Sequence, residues 1–297
     1  MPIDPPRRRR ALMLINPNAR LAQAPLDGVM RVLDEGGIDV AIERFGSAAE
    51  VSPDIIRRGP GFDLAIVCGG DGTINAAARG IIETGLPAGI LPMGTANDLA
   101  RTLHVPLELT EAARVIVVGH TRTIDIGSVN GHYFFNVASI GLAAELARSL
   151  TPDVKRRWGR LAYALTALKT LLFARPFSAT ILSNDGEQKV KTMQIAVGNG
   201  RHYGGGTVIE ASAAIDDGHL DLYSLEVSNV WKLALMAWDF RRGTHGLWSE
   251  VRTHRCTEFE VRTRRPRPVN TDGDLVTFTP AHFTVHPDAL KIFAPPR

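Results

Sequence analysis

The first 125 or so residues alternate short apolar runs with helical patterns, and that alternation restricts the fold more than any other feature. "ALMLI" is followed by a loop and "LDGVMRVLDEGG", and "IDVAIERF" by "AEVSPDIIRRG". "DLAIVCGG" leads to "INAAARGIIETG", and "AGILPMGTA" to "NDLARTL". Runs this short and this continuously apolar suit strands buried on both faces, with Gly or Asn at the joints. They predict a parallel sheet flanked by helices. Ligands of such sheets gather at the carboxyl ends of the strands, so the loops there carry the functional reading.

Beyond residue 125 the texture changes. "TIDIGSVNGHYFFNVASI" reads as a hairpin turning at Asn130-Gly131. A helical segment over 154–174 follows, then strand-like runs at "ATILS", "KTMQIAVGN", "GHLDLYSLEV" and "EFEVRT", with another helical stretch at "VWKLALMAWDF". The second half is therefore expected to be a mostly antiparallel β domain. The expected division is 1–127 and 128–285, with the strand-like 286–297 free to return to the first domain.

Three strand-end loops carry candidate chemistry. "CGGDGT" has neither the GxGxxG of a dinucleotide loop nor the Gly-Lys-Ser/Thr of a Walker loop. Its glycines let backbone N–H groups approach an anion, and Thr73 adds a hydroxyl donor. Asp71 in their midst suits an anion that arrives with Mg²⁺, since hard cations take carboxylate oxygens beside phosphates. A tight turn with Asp71 capping the next helix explains that loop equally well. The second loop, "LPMGTANDLAR", again offers Gly-Thr and an aspartate, Asp98, although Asn97 and Asp98 also read as helix-capping residues. The third, "INPNAR", places Asn16 and Asn18 after the first strand. Two Gly-Thr pairs and two aspartates on one sheet edge favour a Mg-nucleotide site.

"GGDGTIN" together with "GTANDLAR" resembles the diacylglycerol kinase catalytic-domain family, which includes diacylglycerol, sphingosine and ceramide kinases and the bacterial YegS-type lipid kinases. "GGDG" is shared with NAD kinases and phosphofructokinases, whereas the second loop is far more specific. "NPNAR", "IDIG" at 124–127, "GNGRHYGGG" and "DDGHLDL" extend the resemblance over nearly the whole chain. It implies an NAD-kinase-like doubly wound α/β domain followed by an antiparallel β-sandwich, with a nucleotide cleft between them. It assigns ATP contacts to Asn16, Pro17, Asn18, Ala19 and Arg20, to Gly70, Asp71, Gly72, Thr73, Ile74, Asn75 and Ala76, and to Thr95. Asp71, Asp98 and Asp125 become an acidic network at the Mg-phosphates. In "AIDDGHLDL" it implies a structural Mg²⁺ held by Asp217 and by Ala214 and His219. A bare "DDG" is by itself a β-turn.

The chain departs from that family at "NTDGDLV", where Asp-Gly-Glu is usual. Asp274 stands in place of the glutamate that serves as proton acceptor and is one methylene shorter. A general base must lie within ~3 Å of the hydroxyl or one water away. Asp272 could share the task, and "TDGD" also reads as a plain hairpin turn. The implied reaction is γ-phosphoryl transfer from ATP to an alcohol, which demands positioning and charge neutralisation.

The segment 155–175 carries Lys155, Arg156, Arg157, Arg160, Lys169 and Arg175, with Leu161, Leu165, Leu168 and Leu172 at helical spacing and Trp158 at the basic end. A basic amphipathic helix suits an anionic membrane surface. A core helix with solvated arginines fits the pattern as well. "RTRRPRP" at 262–268 and Arg7 to Arg10 add further cations, without the aromatic interleaving of a nucleic-acid platform, so no nucleic-acid partner is expected. The two cysteines, Cys68 and Cys256, are too few for a disulfide framework or a zinc cluster. The apolar "ALMLI" is too short for a signal segment, and no uncharged stretch approaches the ~20 residues of a membrane span. The expectation is a cytoplasmic enzyme that visits the inner membrane face to reach its lipid, and a homodimer is compatible with it. An NAD-kinase relative and a catalytically silent nucleotide- or lipid-binding protein are the rival readings.

Overall fold

A computed structural model of the chain describes residues 7–21, 24–149, 175–199, 202–203, 207–208, 214–227 and 251–296. The basic helical segment expected over 154–174 and the helical "VWKLALMAWDF" lie outside these residues. The chain forms two compact units, 1–124 with 288–297, and 125–287.

In the first unit β1 (Arg9–Ile15), α1 (Asp27–Glu35), β2 (Ile38–Arg44), α2 (Ala48–Arg58), β3 (Leu64–Gly69), α3 (Asp71–Thr84), β4 (Ala88–Pro92), α4 (Asp98–Thr102) and α5 (Leu109–Val118) follow in order. The strands pair in parallel as β2-β1-β3-β4. Every residue of β3 and β4 is buried, which is why those runs show no polar alternation. Helix α1 packs with α5 and α2 with α3, so both sheet faces are covered. Ser52 ties α2 to α3, donating to Ala76 O at 2.6 Å and accepting from Gly80 N at 2.9 Å. The chain runs from β1 outward to β2, then crosses to β3 on the other side of β1. That reversal creates a switch point between the carboxyl ends of β1 and β3, the usual ligand crevice of such sheets.

The second unit is antiparallel. It contains β5 (Thr121–Val129, entering from the first unit), β6 (His132–Phe134), β7 (Val137–Gly141), α6 (Leu142–Ser149), β8 (Phe177–Ser183), β9 (Gly186–Thr192) and β10 (Gln194–Gly198). The two-residue β11 (His202–Tyr203) and β12 (Thr207–Val208) follow, then β13 (Leu220–Leu225), β14 (Val251–Cys256), β15 (Glu258–Thr263), β16 (Pro268–Thr271), β17 (Asp274–Phe278) and β18 (Ala281–Phe293). One sheet is ordered β14-β13-β10-β7-β16-β17, and a second ladder joins β9, β8, β15 and the start of β18. Alternate residues of both sheets, among them Ile140, Val197 and Leu222 from one and Ile181, Val261 and Phe283 from the other, share a buried core. This is a sandwich. Asn130 and Gly131 both take positive φ, 48° and 83°, at the β5–β6 turn, as a two-residue hairpin requires.

One reading from the sequence needs correction. "KTMQIAVGN" is not one strand: Met193 separates β9 from β10, and the two belong to different sheets. Thr192, fully buried, fixes that corner by donating to Gln194 O and Leu225 O at 2.8 and 2.9 Å. The final run, left open between the two domains by the sequence, lies with the first: residues 288–297 belong to that unit. Residues of β18 pair with β15 in the second unit, and Ile292 pairs in parallel with Ala88 of β4 in the first.

Candidate functional site

Three loops at adjacent strand ends in the first unit, in chain order the first (Asn16), second (Gly70) and third (Gly94) loops, are bonded to one another. Asn16 follows β1 directly and donates from Nδ2 to Thr73 Oγ1 at 2.8 Å, spanning the switch point between the first and second loops. Asn16 Oδ1 accepts from Asn18 N at 2.9 Å and so folds its own loop. The first and third loops meet where Arg20 Nε donates to Gly94 O at 3.3 Å and Leu21 N to Met93 O at 3.3 Å.

The second and third loops touch backbone to backbone. A Cβ built on Gly70 would lie 2.9 Å from Gly94 Cα, and one on Gly94 would lie 2.5 Å from Gly70 Cα. Asn97 closes the third loop in the left-handed region at φ 51°, accepting from Gly94 N at 2.9 Å and donating to Gly94 O at 3.2 Å. Asparagine tolerates that conformation better than other non-glycine residues.

Asp71 begins α3 and reaches across to the third loop, where its Oδ1 accepts from Leu99 N at 3.2 Å. It therefore serves the start of α4, rather than capping the helix it begins. Burial is the main cause that raises its carboxyl above the usual range, with the nearby Asp98 carboxylate adding to the rise; backbone N–H groups, Leu99's foremost, oppose it. Asp98 is itself buried. A half-buried and a buried carboxylate near enough to repel one another form a donor set that suits one hard divalent cation with phosphate oxygens and water completing its shell. Pro17, Asn18, Arg20, Gly72 and Thr95 line the exposed tips, while Ala19 and Asn75 are half-buried. Ile74 points into the core and Ala76 O is taken by Ser52, so Ile74 can meet a ligand only through its backbone.

The remaining candidates lie in the second unit. Asp125 is buried, with Oδ2 accepting from Gly218 N at 2.6 Å and its backbone N donating to Ile215 O at 2.8 Å. Asn199 Nδ2 donates to Asp125 O at 3.2 Å and Phe135 O at 3.0 Å. Asp272 anchors the same end of the sheet, accepting from Phe135 N, Asn136 N and Val137 N at 2.7, 3.0 and 3.0 Å. With both oxygens so engaged, Asp272 is a structural anchor and not a spare base. Asp272 and Gly273 form a two-residue turn at φ 48° and 108°, and Asp274 leaves it exposed at the start of β17.

The Asp217 carboxylate accepts from Ala214 N at 3.1 Å and His219 N at 3.0 Å, and Arg255 Nη2 lies 2.6 Å from its Oδ2. Asn199 and Arg255 were not singled out from sequence, where neither carried a local signal, and Gly94 and Asn97 entered there only as part of a Gly-Thr pair and as a helix-capping residue.

Comparison with known proteins accords with this geometry. Residues 10–129 match the model of the diacylglycerol kinase catalytic domain, and 136–294 that of the YegS C-terminal NAD kinase beta sandwich-like domain. A diacylglycerol kinase of Staphylococcus saprophyticus is 28% identical over 295 residues, 97% of this chain and 96% of that protein. One from Bacillus subtilis is 29% identical over 283 residues, 93% of each. Two solved chains from Bacillus anthracis share the fold, with TM-scores of 0.84 and 0.76 at 24% and 21% identity, over 100% and 97% of this chain and 98% and 97% of theirs. The two family models together cover the loop platform and the sandwich alike, and the chain belongs to the diacylglycerol kinase catalytic-domain family with a YegS-type C-terminal domain.

Proposed function

We propose that the chain is an ATP- and Mg²⁺-dependent lipid kinase that transfers the γ-phosphoryl group to a primary hydroxyl of a diacylglycerol-like lipid. The observation that carries this reading is the set of three mutually bonded loops at the switch point, with the half-buried Asp71 and the buried Asp98 beside them. The exposed loop tips and backbone N–H groups bind and orient the triphosphate, with Asn16, Thr73 and Thr95 supplying polar side chains. Asp71 and Asp98 would hold Mg²⁺, and the ion would supply charge neutralisation at the phosphates. Asp125 is the third acidic residue assigned to the reaction in this reading. Asp274 accepts the proton of the acceptor hydroxyl as the O–P bond forms. Its exposed place after a tight turn leaves it open to a bulky substrate, and a backbone advance or a bridging water makes up the missing methylene.

The acceptor lies in a membrane, and the outer face of β9-β8-β15 suits an anionic one. Register places Arg262, Thr180 and Lys189 in one row, with Ser178 and Lys191 in the next. Arg264, also exposed, borders the same groove. No helix among the described residues is long and apolar enough to cross a membrane. The protein on this reading works from the cytoplasmic side, at the inner face.

The test is transfer of labelled γ-phosphate from ATP to a lipid panel in mixed micelles with Mg²⁺, comparing wild type with Asp71→Ala and Asp274→Asn. Labelled lipid from wild type alone supports the reading and names the acceptor. ATP binding with no labelled lipid would replace it with a silent binding protein, and labelled NAD with an NAD-kinase-like enzyme.

A further inference from the structure

The resemblance implies a structural Mg²⁺ at Asp217, and the loop around that residue does not fit one. Both carboxylate oxygens already accept backbone bonds, Oδ2 from Ala214 N and Oδ1 from His219 N. A full positive charge stands 2.6 Å from Oδ2 on Arg255 Nη2. Its position follows from the sheet: Arg255 of β14 lies directly opposite Asp221 of β13, with Nε 3.8 Å from Asp221 Oδ1. From there the guanidinium reaches the loop that leads into β13. A divalent cation at Asp217 would have to displace this group or tolerate its repulsion at close range. Among the described residues no three His, Cys, Asp or Glu side chains gather to hold a metal.

We propose that Arg255 takes the place of the cation at Asp217, so that the 214–219 loop keeps its shape without a metal ion. The guanidinium supplies at Asp217 the charge neutralisation that a cation would otherwise bring. The consequence reaches Asp125. Gly218 N and Ile215 O of the same loop hold that carboxylate and its backbone. Arg255 is thereby a positioning residue for Asp125, acting through Asp217.

The test reads stability, so it is independent of the lipid-kinase reading. Thermal unfolding of the full chain is followed without nucleotide, in millimolar MgCl₂ or in EDTA, for wild type, Asp217→Asn, Arg255→Met and the double variant. Wild type and Asp217→Asn are expected to respond alike to MgCl₂, since any ion taken up at Asp71 and Asp98 is common to both. Arg255→Met is expected to melt lower in EDTA and to recover by roughly 2 °C or more beyond that common response in MgCl₂, a recovery lost in the double variant. Two results overturn the proposal: a wild-type rise in MgCl₂ that Asp217→Asn removes, or an Arg255→Met chain that melts as wild type does in both buffers. The wild-type comparison with Asp217→Asn decides the matter even where Arg255→Met fails to fold.

Discussion

Replacing Gly94 by alanine tests whether the contact between the second and third loops sets the geometry of phosphoryl transfer. The new Cβ would stand 2.5 Å from Gly70 Cα and 2.7 Å from Asn97 Oδ1, whereas ordinary contact begins at 3.4 Å. The loops must part by about 0.9 Å, because the nearer obstacle is backbone and cannot rotate away. A shift near 1 Å at a positioning element costs on the order of 10²-fold in rate. Overpacking itself costs about 1–3 kcal/mol, or roughly 2–4 °C in Tm per kcal/mol for a chain of this size. The chain should thus stay folded while kcat falls about a hundredfold, measured with saturating ATP and lipid beside a melting curve. Gly61→Ala, where a Cβ meets nothing within 4 Å, should leave both unchanged. A Gly94→Ala enzyme that is folded and keeps more than about a third of wild-type kcat would refute the idea that this close approach tunes the site.

Three further outcomes follow from the site's electrostatics and anchors. Asp71→Asn should abolish transfer yet stabilise the nucleotide-free chain by about 0.5–2 kcal/mol, the range of stabilising substitutions, read as a raised Tm. The asparagine keeps an oxygen for Leu99 N and loses the repulsion from Asp98. Because the folded-state pKa of Asp71 lies above its unfolded value, its contribution is full at acid pH and is lost as pH rises through the raised value. The gap between variant and wild-type Tm should therefore widen from acid toward neutral pH. Asp272→Ala strips the acceptor from three backbone donors and should cost about 3 kcal/mol or more, read by denaturant unfolding. Reversing Lys189, Lys191 and Arg264 to glutamate should weaken binding to anionic vesicles by about fivefold or more per residue at low salt, with the Tm unchanged. Equal binding by wild type and the triple variant would remove that face from the membrane-docking account.

The parallel unit was legible in the sequence because its signals are local. Strands buried on both faces must be short apolar runs, as β1, β3 and β4 are, and the turns between them need Gly or Asn whatever surrounds them. The hairpin at Asn130-Gly131 was readable for the same reason, since positive φ at both positions selects those residues. The loops themselves were visible in "GGDGTIN" and "GTANDLAR", because glycine and aspartate mark the turn from a strand into a helix.

Who partners whom was decided by tertiary structure alone. Asn16 finds Thr73 57 residues on, and Asp71 serves Leu99 rather than its own helix. Asp272, readable as a spare base, is consumed by three backbone amides from a segment over 130 residues away. The break at Met193 and the double allegiance of β18 likewise depend on sheets assembled from distant strands. The Asp217 loop makes the contrast sharpest. "DDG" reports that a carboxylate will sit in a turn, whereas the charge that faces it comes from Arg255, delivered by the register of β13 against β14. A residue's backbone preference is a property of its neighbours in sequence. Its electrostatic partner is set by which strands pair and in what register, and only the folded chain decides that.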